Sequence, residues 1–269
     1  MVTRARKTAC PLDWWTKGRA RPADLGCAHH DLAATVTLAR PKAPQLGFGL
    51  VAILLLSIEA LILSSSAPSA SAARMPGQVV TVEAAASTSK VAVLRTWRLA
   101  TDGRYVQVSG PFIAFVGVHG VGPTREGEQR TPSGVFTLTQ AFGNEANNGT
   151  RLPYFRAGPH DWWDEDPGSV HYNRHVRSRY SPGAKSENLY YSGSAYAHAV
   201  VINYNMNPVV KGAGSGFFLH VSDGVPTQGC VAIAADELNV VMRWLTPAEH
   251  PVISIGVGVA ALAPVRSTQ

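Results

Sequence analysis

The chain is poor in cysteine, with only Cys10, Cys27 and Cys230 among 269 residues. That excludes a disulfide-dense scaffold and a zinc site built from four cysteines. Charge is also scarce, at 16% of residues against 45% hydrophobic. Such a chain is too apolar to remain disordered and too polar to cross a membrane many times. Several chemical signatures are missing. Gly117, Gly120 and Gly122 do not make a dinucleotide fingerprint, and no phosphate-binding loop occurs. His171 and His175 stand four apart, but no glutamate completes an H-E-x-x-H pair. Asp161, Asp164, Glu165 and Asp166 lack the alternating order of a calcium loop. A nucleotide enzyme and a zinc enzyme are set aside, and neither a metal nor an organic cofactor is expected.

Two unlike parts make up what is present. Residues 46–63 are apolar except for Glu59, follow Arg40 and Lys42, and lead into small residues ending in Ala70-Ser71-Ala72. A basic flank, an apolar core and a small-residue exit are the marks of a secretory signal. The rival reading is an uncleaved membrane anchor, for which 18 residues just suffice. Glu59 would be costly in a permanent span, and the A-x-A exit favours cleavage. No cysteine follows the run as a lipid attachment point, and no Arg-Arg pair precedes it. Residues 1–45 are a basic tail, or a chain start placed too early. The expected organisation is therefore 1–45 tail, 46–73 signal peptide or anchor, 78–258 catalytic domain and 259–269 tail. The protein is expected to be exported, secreted or anchored, touching membrane only through its leader.

This split reassigns the charge. The net charge is +6, but residues 1–72 hold eight Lys/Arg against four Asp/Glu. The basic balance is mostly a leader property, so nucleic acid is not an expected partner. Cys10 and Cys27 leave with the leader, and Cys230 remains alone. A lone thiol in an oxidising compartment is a liability unless it is buried or used.

The remainder is expected to be mainly β. Apolar and β-branched runs occur at 78–83, 91–98, 111–118, 134–139, 198–203, 216–221 and 252–256, separated by Gly, Pro and Asp turn signals. One helix is predicted over 234–245, where Leu238, Val241, Met242 and Leu245 form one apolar face. The polar, aromatic stretch 144–195 is too long for a structureless loop, so short helices or a lid are expected there.

The chemistry converges on residues 216–233, GFFLHVSDGVPTQGCVAI. A strand carries His220, Asp223-Gly224 turns the chain, and Gly229-Cys230 begins a second apolar run. A free thiol near pKa 8.5 needs an adjacent base or cation to become a nucleophile. An imidazole ten residues away, folded back by the turn, supplies both. Gly229 leaves room for a carbonyl, and the N–H groups of Gly229 and Cys230 are candidates for an oxyanion hole. Ser222, Thr227 and Gln228 in the loop, Asn203 and Tyr204 upstream, and Trp162 in the aromatic stretch are candidates to line the substrate site.

His220 followed by Thr227-Gln228-Gly229-Cys230-Val231 resembles the active-site signature of the L,D-transpeptidase catalytic domain family. Thr124-Arg125-Glu126-Gly127 and Arg130-Thr131-Pro132-Ser133-Gly134-Val135-Phe136 are similar to another stretch of that family, with Glu128 where Asp is usual. Residues 161–176 and 201–205 extend the likeness over about 78–256. Two departures stand out: Gln228 and Ala232 occupy positions where many members have His and Arg, and the His-to-Cys spacing is short. The resemblance implies an L,D-transpeptidase-type β-sandwich with one or two short helices. It also implies a cysteine acyl-enzyme acting on peptidoglycan stem peptides as donor and acceptor, forming 3→3 cross-links. Cys230 would be nucleophile and His220 its proton partner, with no cofactor, and carbapenem-class β-lactams would be covalent ligands. An L,D-carboxypeptidase or other thiol hydrolase of wall peptides, and a non-catalytic wall-binding domain, are the alternatives.

Overall fold

The computed structural model describes residues 75–266, which lie in one compact unit of the chain. The leader calls, on the apolar run, its Ala-x-Ala exit and the basic tail, fall outside the described residues. In chain order the strands begin with β1 (Gln78–Ala84), β2 (Val91–Leu99), β3 (Tyr105–Phe115), β4 (Val121–Gly122) and β5 (Thr131–Pro132). They continue with β6 (Gly134–Thr137), β7 (Ala141–Gly143), β8 (Tyr154–Arg156), β9 (Asp161–Asp164) and β10 (Arg174–Arg177). The last are β11 (Glu187–Asn188), β12 (Ala199–Val201), β13 (Phe218–Val221), β14 (Val231–Ile233) and β15 (Val252–Val257). Two α-helices, α1 (Ala235–Trp244) and α2 (Ala263–Arg266), are present among the described residues. The protein is mainly β.

Ten strands join into one curled sheet in the order β6-β15-β1-β2-β3-β14-β13-β12-β7-β8. β1 lies inside this sheet, parallel to β15 and antiparallel to β2, and its QVVTVEA run is buried on both faces. A strand covered on both sides reads as a continuous apolar run rather than an alternating one. β2, half-buried, does alternate, burying Ala92, Leu94 and Thr96. The main core gathers Val80, Val82, Leu94, Leu219, Val231 and Ile233 with the helix residues Leu238, Val241 and Met242. The helix has Asp236 and Glu237 in its first turn and Arg243 in its last, both favourable to its dipole. Leu238, Val241, Met242 and Leu245 are all fully buried, so the predicted apolar face is the docked one.

The stretch 144–195 departs from expectation. It holds strands rather than a set of helices: β8 extends the main sheet, and β10-β9-β11 form a separate three-stranded sheet. A single 3-10 turn, Gly193–Tyr196, is its helical content. The reason is local burial. Trp163 is 1% exposed and Leu189 is fully buried, both in a second apolar cluster with Phe142, Tyr196, Phe218 and Cys230. Short paired strands deliver such isolated large side chains to a core without a helical repeat. At the other end, residues 258–266 are helical, and Val265 packs on Val79 and Val252. Most of the stretch read as a tail is therefore pinned to the sheet.

Candidate active site

The site is organised by β13 and β14, which run parallel: Leu219 pairs with Val231, His220 with Ala232, Val221 with Ile233. The turn at Asp223-Gly224 therefore does not make a hairpin. Residues 222–230 travel back along the strand direction, held where Val118 N–H donates to Thr227 O and Thr227 N–H donates to Val116 O, both at 2.9 Å. Alternate residues of a strand point to opposite faces. Leu219, Val221, Val231 and Ile233 enter the main core, whereas Phe218, His220, Cys230 and Ala232 share the other face. Sequence reasoning placed His220 and Cys230 together through a turn; the fold does so through parallel neighbours, with His220 paired to Ala232, two residues beyond Cys230.

Cys230 is 9% exposed and packs with Phe142, Trp163, Tyr196 and Phe218. Its thiol donates to Gly216 O at 3.4 Å, and its sulfur accepts from Phe218 N–H at 3.3 Å. Burial pushes the thiol well above the usual range, and the nearby carboxyls of Glu187 and Glu165 push it further. The Phe218 N–H and the Tyr196 hydroxyl act the other way, favouring the thiolate. Cys230 thus rests as a protonated thiol.

His220 is also 9% exposed. Its Nδ1 lies 2.8 Å from Val221 O. A carbonyl can only accept, so Nδ1 carries the proton and Nε2 is left as the basic nitrogen. Burial lowers the His220 pKa, while the carbonyls of Val221 and Ala195 and the Asp223 carboxylate favour its charged form. The imidazole is neutral at rest with acceptors in place for the imidazolium. Tyr196 stands edge-on to the His220 ring at 5.4 Å and to Phe218 at 5.6 Å, connecting base and thiol. No hydrogen bond joins His220 to Cys230 among the described residues.

The turn before the thiol is built by threonines. Thr227 Oγ1 accepts from Gly229 N–H at 3.0 Å and donates to Cys230 O at 2.7 Å. Thr131 Oγ1 accepts from Gly117 N–H and donates to the same Cys230 carbonyl. The Gly229 N–H, expected in the oxyanion hole, is therefore consumed inside its own turn. Gly229 has φ +141°, and a Cβ there would lie 2.7 Å from the Phe217 ring and 3.3 Å from Arg130 O, so glycine is required. The motif resembling Arg130 to Phe136 supports the thiol by backbone contact.

The remaining candidates are dispersed. Ser222 Oγ accepts from Gly224 N–H and shapes the turn. Gln228 is exposed and bonded to Gln129. Asn203 donates to Thr137 and Thr139, tying β12 to the end of β6. Tyr204 donates to Ala213 O at 2.7 Å and reaches the site only through Phe217, edge-on at 5.2 Å. Trp162 donates to Ser178 O, on the strand face opposite Trp163. Tyr196 and Glu187 are the neighbours of Cys230 that sequence reasoning did not single out, while Trp163 reads with Trp162 as a candidate lid residue. Tyr196 and Glu187 have no signature spacing to either catalytic candidate, whereas Trp163 differs from Trp162 only by strand parity.

No curated protein and no solved structure matches the chain. A family model, the L,D-transpeptidase catalytic domain (YkuD), matches residues 86–253. That span runs from the turn before β2 into β15 and contains the thiol, the imidazole and both threonine supports. The chain belongs to the L,D-transpeptidase catalytic domain family.

Proposed function

We propose that this chain is an exported cysteine L,D-transpeptidase that forms 3→3 cross-links between peptidoglycan stem peptides. The observation that carries this reading is the pairing of one thiol and one Nε2-basic imidazole on the same face of parallel neighbours, inside a family of peptidoglycan-active enzymes. His220 Nε2 takes the Cys230 proton as the thiol leaves Gly216 O, and the Val221 and Ala195 carbonyls stabilise the imidazolium. The sulfur attacks the carbonyl of the third-position diamino acid. The Cys230 N–H is the donor toward the resulting oxyanion, because Thr227 already holds the Gly229 N–H. Collapse expels the terminal D-residue, whose amine takes the proton from His220, and leaves a thioester. A side-chain amine of a second stem then attacks the thioester, giving the cross-link and regenerating the thiol.

Mass spectrometry of the purified protein with a carbapenem tests the acyl-enzyme. The expected result is a covalent adduct that is absent from Cys230→Ala; folded wild-type protein without an adduct overturns the reading. Incubation with a disaccharide tetrapeptide then separates dimer formation from simple loss of the D-residue, which would mark an L,D-carboxypeptidase.

A further inference from the structure

Acidic side chains gather beside the Cys230 thiol without a basic partner. Glu187 accepts from Tyr196 OH at 2.9 Å and from Ser192 OH at 3.2 Å. Glu165 has no hydrogen bond among the described residues. Its carboxyl lies against Gly216, where a Cβ would meet Oε1 at 1.8 Å. The carbonyl of that same Gly216 accepts the Cys230 thiol. Both glutamates are deeply enclosed yet keep a solvent-reachable edge. The charged groups that act on Glu165 are Glu187, Glu126 and Asp164, all acidic. Glu126 is taken up by Tyr172 OH and Ser215 OH. Asp164 is bonded through Oδ1, and its Oδ2 is buried without a hydrogen-bond partner among the described residues. The ion pairs of the described residues, at Glu83 and Asp161, lie on other carboxylates.

Enclosing carboxyls without countercharge is costly, and such arrangements concentrate at functional sites. Burial pushes both glutamates up, and repulsion from Glu187, Glu126 and Asp164 adds to it at Glu165, so each favours its protonated form. The natural complement of such carboxyls is a cation. Among the described residues no group of three His, Cys, Asp or Glu side chains could hold a metal. Carboxylates only accept hydrogen bonds, and Glu165 has its acceptors unused. A cation that donates N–H bonds fits that chemistry best.

We propose that Glu165 and Glu187 form a subsite for a primary ammonium group at the edge of the Cys230 thiol. This deepens the acyl-transfer reading above and rests on it only for which molecule carries the ammonium. As the ammonium enters, one carboxyl releases its proton to solvent and the ammonium N–H groups bond to the pair, so one positive charge meets one negative. The ammonium's positive charge offsets the carboxyl repulsion that opposes a Cys230 thiolate, so arrival of the ammonium and activation of the thiol are coupled.

The test is titration of the purified full chain with n-butylammonium chloride, followed by NMR at the Gly216 and Tyr196 amides, alongside the rate of Cys230 alkylation by iodoacetamide. Saturable shifts and faster alkylation are expected in wild type. Glu165→Gln and Glu187→Gln each weaken binding by about tenfold, as loss of one charge-assisted bond predicts. Tetramethylammonium, equally charged but without N–H donors, produces no saturable shift. Absence of saturation in wild type, undiminished wild-type affinity in both Gln variants, or equal binding of tetramethylammonium overturns the proposal. Persistent shifts with a Cys230 that resists alkylation remove the thiol chemistry and leave the subsite standing.

Discussion

The two faces of the β13–β14 pair are built from alternate residues of the same short strands, and they do opposite work. One face presents Leu219, Val221, Val231 and Ile233 to the main core under α1. The other presents Phe218, His220 and Cys230 to Tyr196, Trp163 and two uncompensated glutamates. The first face needs only apolar volume. The second buries titratable groups, each held neutral by burial, and depends on which hydrogen bonds are made. The contrast teaches that strand parity can divide scaffold from chemistry with no separate structural unit for either.

The largest expected effect breaks the chemical face alone. Cys230→Ala lowers acyl transfer by about four orders of magnitude or more. The melting temperature stays close to wild type, since Ala fills most of the space of a small buried thiol. A loss of folding on thermal scans would instead place Cys230 among the scaffold residues. The mirror experiment strikes the scaffold face. Leu238→Ala, at a fully buried helix position, costs about 2–5 kcal/mol in urea denaturation. The surviving folded fraction keeps its alkylation rate at Cys230; a slower rate would show that the two faces are not separable.

Thr227→Val is a smaller test, aimed at the joint between the faces. It removes the acceptor of Gly229 N–H and the donor to Cys230 O, and lowers acyl transfer by about tenfold with about 1–2 kcal/mol of stability. Unchanged kinetics would show that the turn holds its shape by Gly229 packing alone.

The smallest effect is in pH dependence. His220 has its pKa lowered by burial, so the unfolded chain binds more protons and stability is lost as pH falls from about 6.5 through the lower folded value. Glu165 and Glu187 are raised, so stability present below about 4.5 is lost as pH rises through their folded values. Relative to wild type, His220→Gln flattens the acid side and Glu165→Gln raises the melting temperature by about 2–4 °C near neutral pH. Thermal scans from pH 4 to 8 check both. Identical curves would make the chemical face as indifferent to pH as the apolar one.

Much of the fold was legible because its signals are local. β1, β2, β6, β12, β13 and β15 overlap apolar runs bounded by turn residues, and α1 follows the predicted span within one residue at each end. β3 begins at Tyr105, earlier than its apolar run, because its Tyr105–Ser109 half is largely solvent-facing and carries little hydrophobic signal. β9–β11 were hidden in a polar stretch, where one buried Trp163 among charged neighbours leaves no period to read. Of the site, Cys230, His220 and the glycine between turn and thiol were visible as residue types at a spacing. The direction of β14 was not, since parallel and antiparallel returns over nine residues look alike in sequence.

The amino-acid sequence by itself determined that residues 73–269 hold a single thiol, that an imidazole stands ten residues before it, and that this part of the chain is rich in β signals. These follow from composition and nearest-neighbour pattern, which need no partner from elsewhere in the chain. Only the tertiary structure decided which N–H the threonine removes from the oxyanion hole, which ring bridges base and thiol, and which carboxyls stand unpaired beside them. Those facts depend on residues such as Tyr196, Glu187 and Glu165, brought to Cys230 across 34 to 65 positions of chain. Proximity of that kind is created by packing, and burial then sets the charge each group can carry.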